Sequence, residues 1–528
     1  MKKLSFYRIF ILSLLFMSLS TPAIAKMMNI LVYPFENTGD KQYSWISAGM
    51  TETVINDLMG IREVSVISNA DRRKIMEETK FILSGLVAEE TMLKVGKLTG
   101  ANVIFTGSYL VSENSIRVVA RLINVETGKV ESSAKLDGRL EKIFDLQDKV
   151  VLTLLSDTGK VSIPDVKKVK IAEAEKKKIA EKPKPKTTAY ELYAKGLELQ
   201  DTNPKEALAY YTKALDIDKN YVSALIEAGF TAGNTLNLFD EALGYLTRAD
   251  EILKSRKATK TTDYAGLMMN IGDVYYSKGN HDRALRYYID SQQILERIGL
   301  QNTEGYAGLM MNIGVVYDSK GDRDRALRYY MDSQEIRDML GLQNTARYAN
   351  LMNNIGANVY DSKGDSGRVL RYYMDSQQIL DRLGLQNTEG YASLMMNIGV
   401  VYKSKGDLDR ALRYYLDDQA IEDRLGLQNT EGYAMLMNNI GIVYDSKGDL
   451  DRVLRYYMDS QEIRDRLGLQ NTDGYARLLF NMAILYEKQG KREMAGRYYR
   501  KSYDIYVRAG YIGPDRDHAL RKAQRLGY

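Results

Sequence analysis

Apolar and polar positions alternate with helical spacing through the last two thirds of the chain, and that pattern is itself repeated. The string Gly-Leu-Gln-Asn-Thr begins at Gly299, Gly341, Gly384, Gly426 and Gly468, at spacings of 42, 43, 42 and 42 residues. Each unit reads Tyr-Ala, an apolar run holding Asn-Ile-Gly, a Tyr, a Lys-Gly-Asp turn, then Arg-Ala-Leu-Arg-Tyr-Tyr and a second amphipathic run, which predicts helix, turn, helix. Gly321, Gly364, Gly406 and Gly448 suit the left-handed residue that ends a helix. Asp322, Asp365, Asp407 and Asp449 follow them and suit the cap of the next helix. Gly272, Gly314, Gly356, Gly399 and Gly441 in the first helix, with Ala284, Ala326 and Ala411 in the second, mark where helices approach closely. Tyr275, Tyr317, Tyr402 and Tyr444 are expected to fill the space beside them against Tyr288, Tyr330, Tyr415 and Tyr457. The Asp and Arg residues of the second helix read as a solvated face with i, i+4 pairing.

The third unit departs from this rule. It has one extra residue in Gly356-Ala357-Asn358-Val359-Tyr360, and Ser366-Gly367 replaces the usual turn exit. An inserted residue is absorbed as a π-bulge or a slipped helix end, so a local change of superhelix curvature is expected there.

The small–large pattern resembles the tetratricopeptide repeat, and at this length the kinesin light chain variety. The resemblance implies an all-α solenoid, a right-handed superhelix of helical hairpins. Six such units cover residues 256–510. Two more conventional ones occupy 188–255, marked by Gly196 with Ala207, Tyr211 and Ala214, then Ala228-Gly229 with Ala242, Leu246 and Ala249. Residues 511–528 hold a last helix, Arg516 to Arg525, expected to cap the open end. In such a solenoid the first helices form the inner wall of a channel. Asn270, Asn312, Asn354, Asn397, Asn439 and Asn481 recur there two residues before the small packing position. They resemble the asparagine ladder of the O-linked GlcNAc transferase repeats, where amides grip a peptide backbone. An amide both donates and accepts, so it can pair with any peptide unit; the same amides could instead bridge neighbouring repeats. Met269, Met311, Asn353, Met396, Asn438 and Phe480, one place earlier, are the candidates for added affinity. Met268, Met310, Met352 and Met395 read as core.

The amino-terminal part has a different register. Asn29–Phe35 and Val64–Ser68 read as strands, with a helix over Tyr43–Leu58 between them. Helices over Ala70–Lys80 and Ala88–Leu98 follow, then strands Asn102–Val111, Ser115–Val125 and Lys129–Leu136, and a closing helix over Glu141–Leu155. The turns Ser112-Glu113-Asn114 and Glu126-Thr127-Gly128 suit hairpins because Asn and Gly tolerate positive φ. An α+β domain over residues 26–159 is therefore expected. Ile30-Leu31-Val32-Tyr33-Pro34-Phe35-Glu36-Asn37, Ser84-Gly85-Leu86, Lys97-Leu98-Thr99-Gly100-Ala101, Thr106-Gly107-Ser108-Tyr109 and Asn124-Val125-Glu126-Thr127-Gly128 resemble the envelope family that includes the TolB amino-terminal domain, FlgO-like proteins and the curli channel CsgG. That resemblance implies docking or assembly at a cell envelope. The lipidated cysteine and the extended barrel hairpins of CsgG are missing. Residues 160–187 turn lysine-rich and end in Lys182-Pro183-Lys184-Pro185-Lys186, which reads as a solvated, semi-rigid linker, with a short helix within Val169–Ile179.

The ends and the composition narrow the function. Lys2 and Lys3, the apolar run Ile9–Leu19 and Ala23-Ile24-Ala25 form an export signal over residues 1–25. The expected location is the periplasm, or otherwise secreted or peripheral to the envelope, with no membrane-integral segment after cleavage. There is no cysteine, so neither disulfides nor thiolate metal sites are available, and a net charge of +5 on 528 residues forces no nucleic-acid partner. The lysines of the linker carry no interleaved aromatic residues for base stacking. His281 and His518 are the two histidines, isolated in sequence and expected at the surface; they leave almost nothing for a catalytic triad or a histidine metal site. Gly96-Lys97-Leu98-Thr99 lacks the spacing of a phosphate loop. No cofactor is expected. The remaining enzyme reading is the carboxylate pair Glu36 and Asp40. The expected function is a non-catalytic exported adaptor with a protein or peptide in the channel and an envelope complex at residues 26–159. The alternatives are a self-associating, curli-like accessory of an envelope machine and a cell-wall-active enzyme.

Overall fold

The computed structural model describes residues 28–67, 72, 75, 76, 88–156, 169–363 and 365–528. The segment read as an export signal, most of the helix expected over Ala70–Lys80, the Ser84-Gly85-Leu86 motif and the turn glycine Gly364 lie outside them. The described residues divide into two compact units, one up to Tyr348 and one from Ala349 onward.

The first unit begins with a mixed sheet. Strands β1 (Met28–Val32), β2 (Glu36–Asn37), β3 (Val64–Ile67), β4 (Val103–Ser112), β5 (Ser115–Asn124) and β6 (Val130–Arg139) order as β3-β1-β4-β5-β6, with β2 beside β4. β1 runs parallel to β3 and β4 and is buried along its whole length, as its unbroken apolar sequence requires. β4, β5 and β6 are antiparallel, and β5 alternates between exposed and buried residues over most of its length. Helices α1 (Trp45–Met59), α2 (Ala88–Thr99) and α3 (Ile143–Ser156) accompany the sheet. At the β4–β5 turn it is Glu113, with φ 53°, that takes the left-handed conformation, where Asn114 was the expected carrier; Gly128, with φ 69°, does so at the next turn.

The described part of the lysine-rich segment, residues 169–187, is tied to the α/β domain through Glu175, Lys182 and Lys184, which corrects its reading as a fully solvated spacer there. It contains α4 (Glu173–Glu181), and Glu175 in it pairs with Arg62 at 3.3 Å. Lys182 pairs with Asp57 of α1 and, at 3.4 Å, with Asp148 of α3. Lys184 reaches Asp145 at 2.5 Å and Asp148 at 3.1 Å. Burial pushes the Asp57 carboxyl up to about 6 against the pull of Lys182. The next helix, α5 (Thr187–Leu199), lays Tyr190 against Gly49, where an added Cβ would sit 2.7 Å from the phenol oxygen. That phenol accepts from Gln147 Nε2 at 2.7 Å, and its ring meets Phe144 at 4.8 Å. The α/β domain and the first helical hairpin therefore share buried side chains.

The hairpins of this unit are α5 with α6 (Pro204–Ile217), α7 (Val222–Phe230) with α8 (Phe239–Ser255), α9 (Thr262–Ser277) with α10 (His281–Arg297), and α11 (Glu304–Ser319) with α12 (Arg323–Met339). A π-helical turn at Thr231–Thr235 follows α7, unforeseen in the sequence pattern. Helix α13 (Ala346–Lys363) starts here and runs into the second unit. There it pairs with α14 (Ser366–Leu383) and is followed by α15 (Glu389–Ser404) with α16 (Leu408–Leu425), α17 (Glu431–Lys447) with α18 (Leu450–Arg466), and α19 (Asp473–Lys488) with α20 (Arg492–Arg508). Helix α21 (Pro514–Arg525) closes the second unit, burying Ala519 and Ala523.

Repeat geometry follows from local signals. The turn glycines Gly321, Gly406 and Gly448 have φ of 77°, 76° and 79°. Asp322, Asp365, Asp407 and Asp449 accept the backbone N–H three residues on at 3.1–3.2 Å. The Thr of each Gly-Leu-Gln-Asn-Thr string does the same for the next first helix, as Thr388 does for Tyr391 N at 3.3 Å. A Cβ on Gly314, Gly399 or Gly441 would lie 2.5–2.6 Å from the ring of Tyr330, Tyr415 or Tyr457. The tyrosines expected to pack on those rings instead stack on the first tyrosine of each doublet: Tyr275 on Tyr287, Tyr317 on Tyr329, Tyr402 on Tyr414 and Tyr444 on Tyr456, at 5.5–5.6 Å. The second tyrosine is already consumed by the glycine.

The inserted residue of the third repeat makes no π-bulge: α13 is α-helical throughout, 18 residues against 16 in α11 and α15. The helix is lengthened instead, keeping its register from Gly356 through Val359. Asn358 consequently lies fully buried where Val316 and Val401 sit in their own repeats.

Candidate functional site

Helix α15 shows what each first helix leaves uncovered. Leu394, Met395, Ile398, Gly399 and Val401 are buried, while Ser393, Met396, Asn397, Val400 and Ser404 stay half-buried or exposed. Those five fall on one stripe by the helical period. The same offsets give Asn350, Asn353, Asn354 and Ala357 on α13, Met435, Asn438, Asn439 and Ile442 on α17, and Arg477, Phe480, Asn481 and Ile484 on α19. The predicted site residues are thus brought onto one face of successive helices in the second unit. In the first unit Met269, Asn270, Met311 and Asn312 are likewise half-buried. Met310, Met352 and Met395, assigned to the core, are each 2% exposed.

The amides bond across repeats where two meet. Asn397 Nδ2 donates to Asn353 Oδ1 at 3.0 Å, and Asn481 Nδ2 donates to Asn438 Oδ1 at 3.1 Å. In each pair the acceptor is the asparagine that stands one place ahead in the previous repeat. Within each unit, where that place holds methionine, as at Met269 ahead of Asn312 and Met396 ahead of Asn439, no such rung forms among the described residues. An amide that forms one rung still has a carbonyl oxygen or an N–H to offer.

The neighbouring positions fare differently. Met311 Sδ lies 3.8 Å from Arg337 Nη1, and Met396 packs against the core of the second unit. Phe480 is covered: its ring meets Tyr499 at 5.3 Å and His518 of α21 at 5.2 Å, so it serves the capping helix. A row missed from sequence is Val400, Ile442 and Ile484, half-buried apolar residues one turn beyond the amides. Their signal was present, since they recur three residues after each asparagine.

Other candidates resolve simply. Glu36 and Asp40 are both exposed, and Asp40 Oδ1 caps a short 3-10 turn by accepting from Gln42 N at 2.9 Å. His281 is half-buried beside Tyr276, with rings 5.4 Å apart, because it opens α10 against the preceding helix; His518 is exposed as expected. Among the described residues no group of three His, Cys, Asp or Glu is placed to hold a metal ion, and no helix is long and apolar enough to cross a membrane.

The second helices are less uniformly solvated than their charge implies. Arg337 of α12 is 0% exposed, donating to Glu304 at 3.0–3.2 Å and to Ser333 Oγ at 3.0 Å. Arg347 adds a further bond to Glu304 at 3.1 Å. The same repeat position holds Leu295, Leu380, Glu422, Arg464 and Tyr506, and that variation was the sequence signal for a buried slot.

Residues 263–339 and 432–507 match a family model described as tetratricopeptide repeat, and 392–417 match another of the same description. A curated protein of Rhizobium meliloti (strain 1021), named "Putative adenylate cyclase 3", is 29% identical over 136 residues, 26% of this chain and 22% of that protein's own length. Among solved structures, BtubC from P. vanneervenii covers 47% of this chain and 92% of its own at 19% identity and a TM-score of 0.37. A Rap protein complexed with Competence and Sporulation Factor covers 64% and 97% at 13% identity and 0.41. The Cut9-Hcn1 hetero-tetramer of APC/C covers 73% and 68% at 14% identity and 0.43. The helical hairpins over residues 263–339 and 432–507, with their glycine–tyrosine contacts and capped turns, are tetratricopeptide repeats.

Proposed function

We propose that this chain is an exported, non-catalytic scaffold that holds an extended polypeptide against the open stripe of its first helices and docks at a cell envelope through its α/β domain. The observation that carries this reading is the row Asn354, Asn397, Asn439 and Asn481, half-exposed on successive helices with hydrogen-bonding capacity to spare. Amides recognise peptide units without regard to side chain. Four to six such bonds at ~0.5–1.5 kcal/mol each would be largely cancelled by the cost of association, ~4–15 kcal/mol. The apolar row Val400, Ile442 and Ile484 supplies the additional buried area the binding needs. Export rests on the basic, apolar and small-residue order of residues 1–25, and envelope docking on the resemblance of residues 26–159 to the TolB, FlgO and CsgG family.

A photo-crosslinking residue placed at Met396 tests the reading in cells. It should trap a polypeptide partner in the envelope fraction, and the same residue at exposed Arg413 on α16 should not. Equal trapping at both positions, or none at Met396, would contradict it.

A further inference from the structure

Five of the six long repeats carry a serine on the second helix whose hydroxyl donates to a backbone carbonyl of the first: Ser291 to Ala265 O, Ser333 to Ala307 O, Ser376 to Ala349 O, Ser460 to Ala434 O and Ser502 to Ala476 O, at 2.6–2.9 Å. In the fourth long repeat the residue is Asp418. It is 0% exposed, and both of its carboxylate oxygens lack a hydrogen-bond partner. One turn further, Glu422 is 7% exposed with Oε2 also unpartnered. Glu389, exposed at the start of α15, is the third carboxylate and acts on Glu422.

The second long repeat shows how a carboxylate at these positions is neutralised within the chain. Glu304, Ser333 and Arg337 there correspond to Glu389, Asp418 and Glu422, and Arg347 corresponds to Gly432. Glu304 is neutralised by two guanidinium groups, Arg337 and Arg347. Neither arginine has a counterpart at the fourth repeat: the place of Arg337 holds the acid Glu422, and the place of Arg347 holds Gly432, as glycine also does at Gly305, Gly390 and Gly474. The fifth repeat restores a cation, Arg464, 3.6 Å from Glu431. A Cβ on Gly432 would lie 3.8 Å from Glu422 Oε1, with no closer atom, so space adjoins the carboxylate where the second repeat has an arginine side chain. The charges acting on Asp418 and Glu422 are carboxylates: Glu422 on the first, Glu389 and Asp423 on the second. Burial and these neighbours push Asp418 up to about 8 and Glu422 up to about 7.

We propose that Glu389, Glu422 and Asp418 receive a guanidinium group carried by the polypeptide partner, which enters beside Gly432 and supplies the cation that Arg337 and Arg347 supply to Glu304 of the second repeat. The proposal rests on the reading of the chain as a polypeptide holder and adds the chemistry of one of its partner's side chains. Arginine fits better than lysine because its planar fork serves two carboxylates at once. Exposure falls from Glu389 at the surface to Glu422 at 7% and Asp418 at 0%, so a cation reaching the inner carboxylates is removed from water. Binding requires the carboxylates in ionised form, so it releases protons and strengthens as pH rises from about 6 to about 8.

The test uses the full chain and two labelled probes, an alanine pentapeptide with a central arginine and the same peptide with citrulline, its uncharged isostere. Near pH 8 the arginine peptide should bind at least about tenfold more tightly than the citrulline peptide. Glu422→Gln and Asp418→Ser should each reduce that preference. Gly432→Arg, which provides the cation within the chain, should abolish it while leaving the melting temperature at or above that of the parent. No arginine preference in the parent chain, or a preference unchanged in Glu422→Gln and Gly432→Arg, overturns the proposal. Binding of both peptides with equal affinity would overturn it and leave the amide row standing, so the two readings fail separately.

Discussion

Asn397 donates through Nδ2 to Asn353 Oδ1 at 3.0 Å, joining the open faces of two successive repeats by a side-chain amide pair. A half-exposed bond of this kind contributes about 1 kcal/mol net. In a double-mutant cycle, Asn353→Ala and Asn397→Ala should each cost about that much, and together little more than either alone. Full additivity by urea denaturation would mean that the rung carries no energy.

The glycine–tyrosine contacts predict opposite effects for one substitution at two helical sites. Gly399→Ala places a methyl group 2.5 Å from the Tyr415 ring and should cost roughly 1–3 kcal/mol. Gly266→Ala, in α9 with nothing within 4 Å, should stabilise by up to about 1 kcal/mol through helix propensity. Thermal melts of the two variants check both signs.

The buried ion pair of the second long repeat predicts an asymmetry. Glu304→Leu leaves the fully buried Arg337 without a carboxylate and should cost about 3–5 kcal/mol. Arg337→Leu leaves Glu304 with Arg347, and leucine already fills this position at Leu295 and Leu380, so it should cost clearly less. Equal losses in chemical denaturation would contradict this account of the slot.

Asp418 and Glu422 predict a stability that falls with pH. Their folded values, about 8 and about 7, lie above the ordinary values of 3.8 and 4.5, so the folded chain holds protons that the unfolded chain has released. Their contribution is complete below about pH 4 and is lost progressively as pH rises towards about 8. Asp418→Ser restores the hydroxyl of the other repeats and should raise the melting temperature, more near pH 8 than near pH 5. A uniform shift at both pH values would contradict the assignment.

The docked lysine segment predicts protection from proteases. Lys182→Ala with Lys184→Ala removes the cations held by Asp57, Asp145 and Asp148, and cleavage between residues 169 and 187 should accelerate. Cleavage as fast in the parent chain would restore the free-spacer description.

The repeat architecture was legible because its signals are local: a left-handed glycine, an aspartate cap three residues ahead of the N–H it serves, and a glycine opposite a tyrosine. The strands were legible for a similar reason, since the unbroken apolar run at β1 and the alternation at β5 are distinct sequence patterns. Partner choices among like residues were not. Tyr402 could have met either Tyr414 or Tyr415, and only the claim of Gly399 on Tyr415 decides it. Lys182 and Lys184 read as solvated because their carboxylates lie far away in sequence, at Asp57, Asp145 and Asp148. Arg337 and Asp418 read as surface charges because their burial depends on the first helices packed over them. The row of site asparagines followed from the repeat period, but the bonds of Asn397 and Asn481 depended on whether asparagine or methionine stands one place earlier in the previous repeat.

The most direct measurement is the affinity of the full chain for the polypeptide trapped at Met396, compared with that of the Asn354→Ala, Asn397→Ala, Asn439→Ala triple variant at matched thermal stability. Loss of at least about tenfold in affinity is predicted, from three peptide-directed bonds at ~0.5–1.5 kcal/mol each. An unchanged dissociation constant would show that these amides hold repeats together and nothing else.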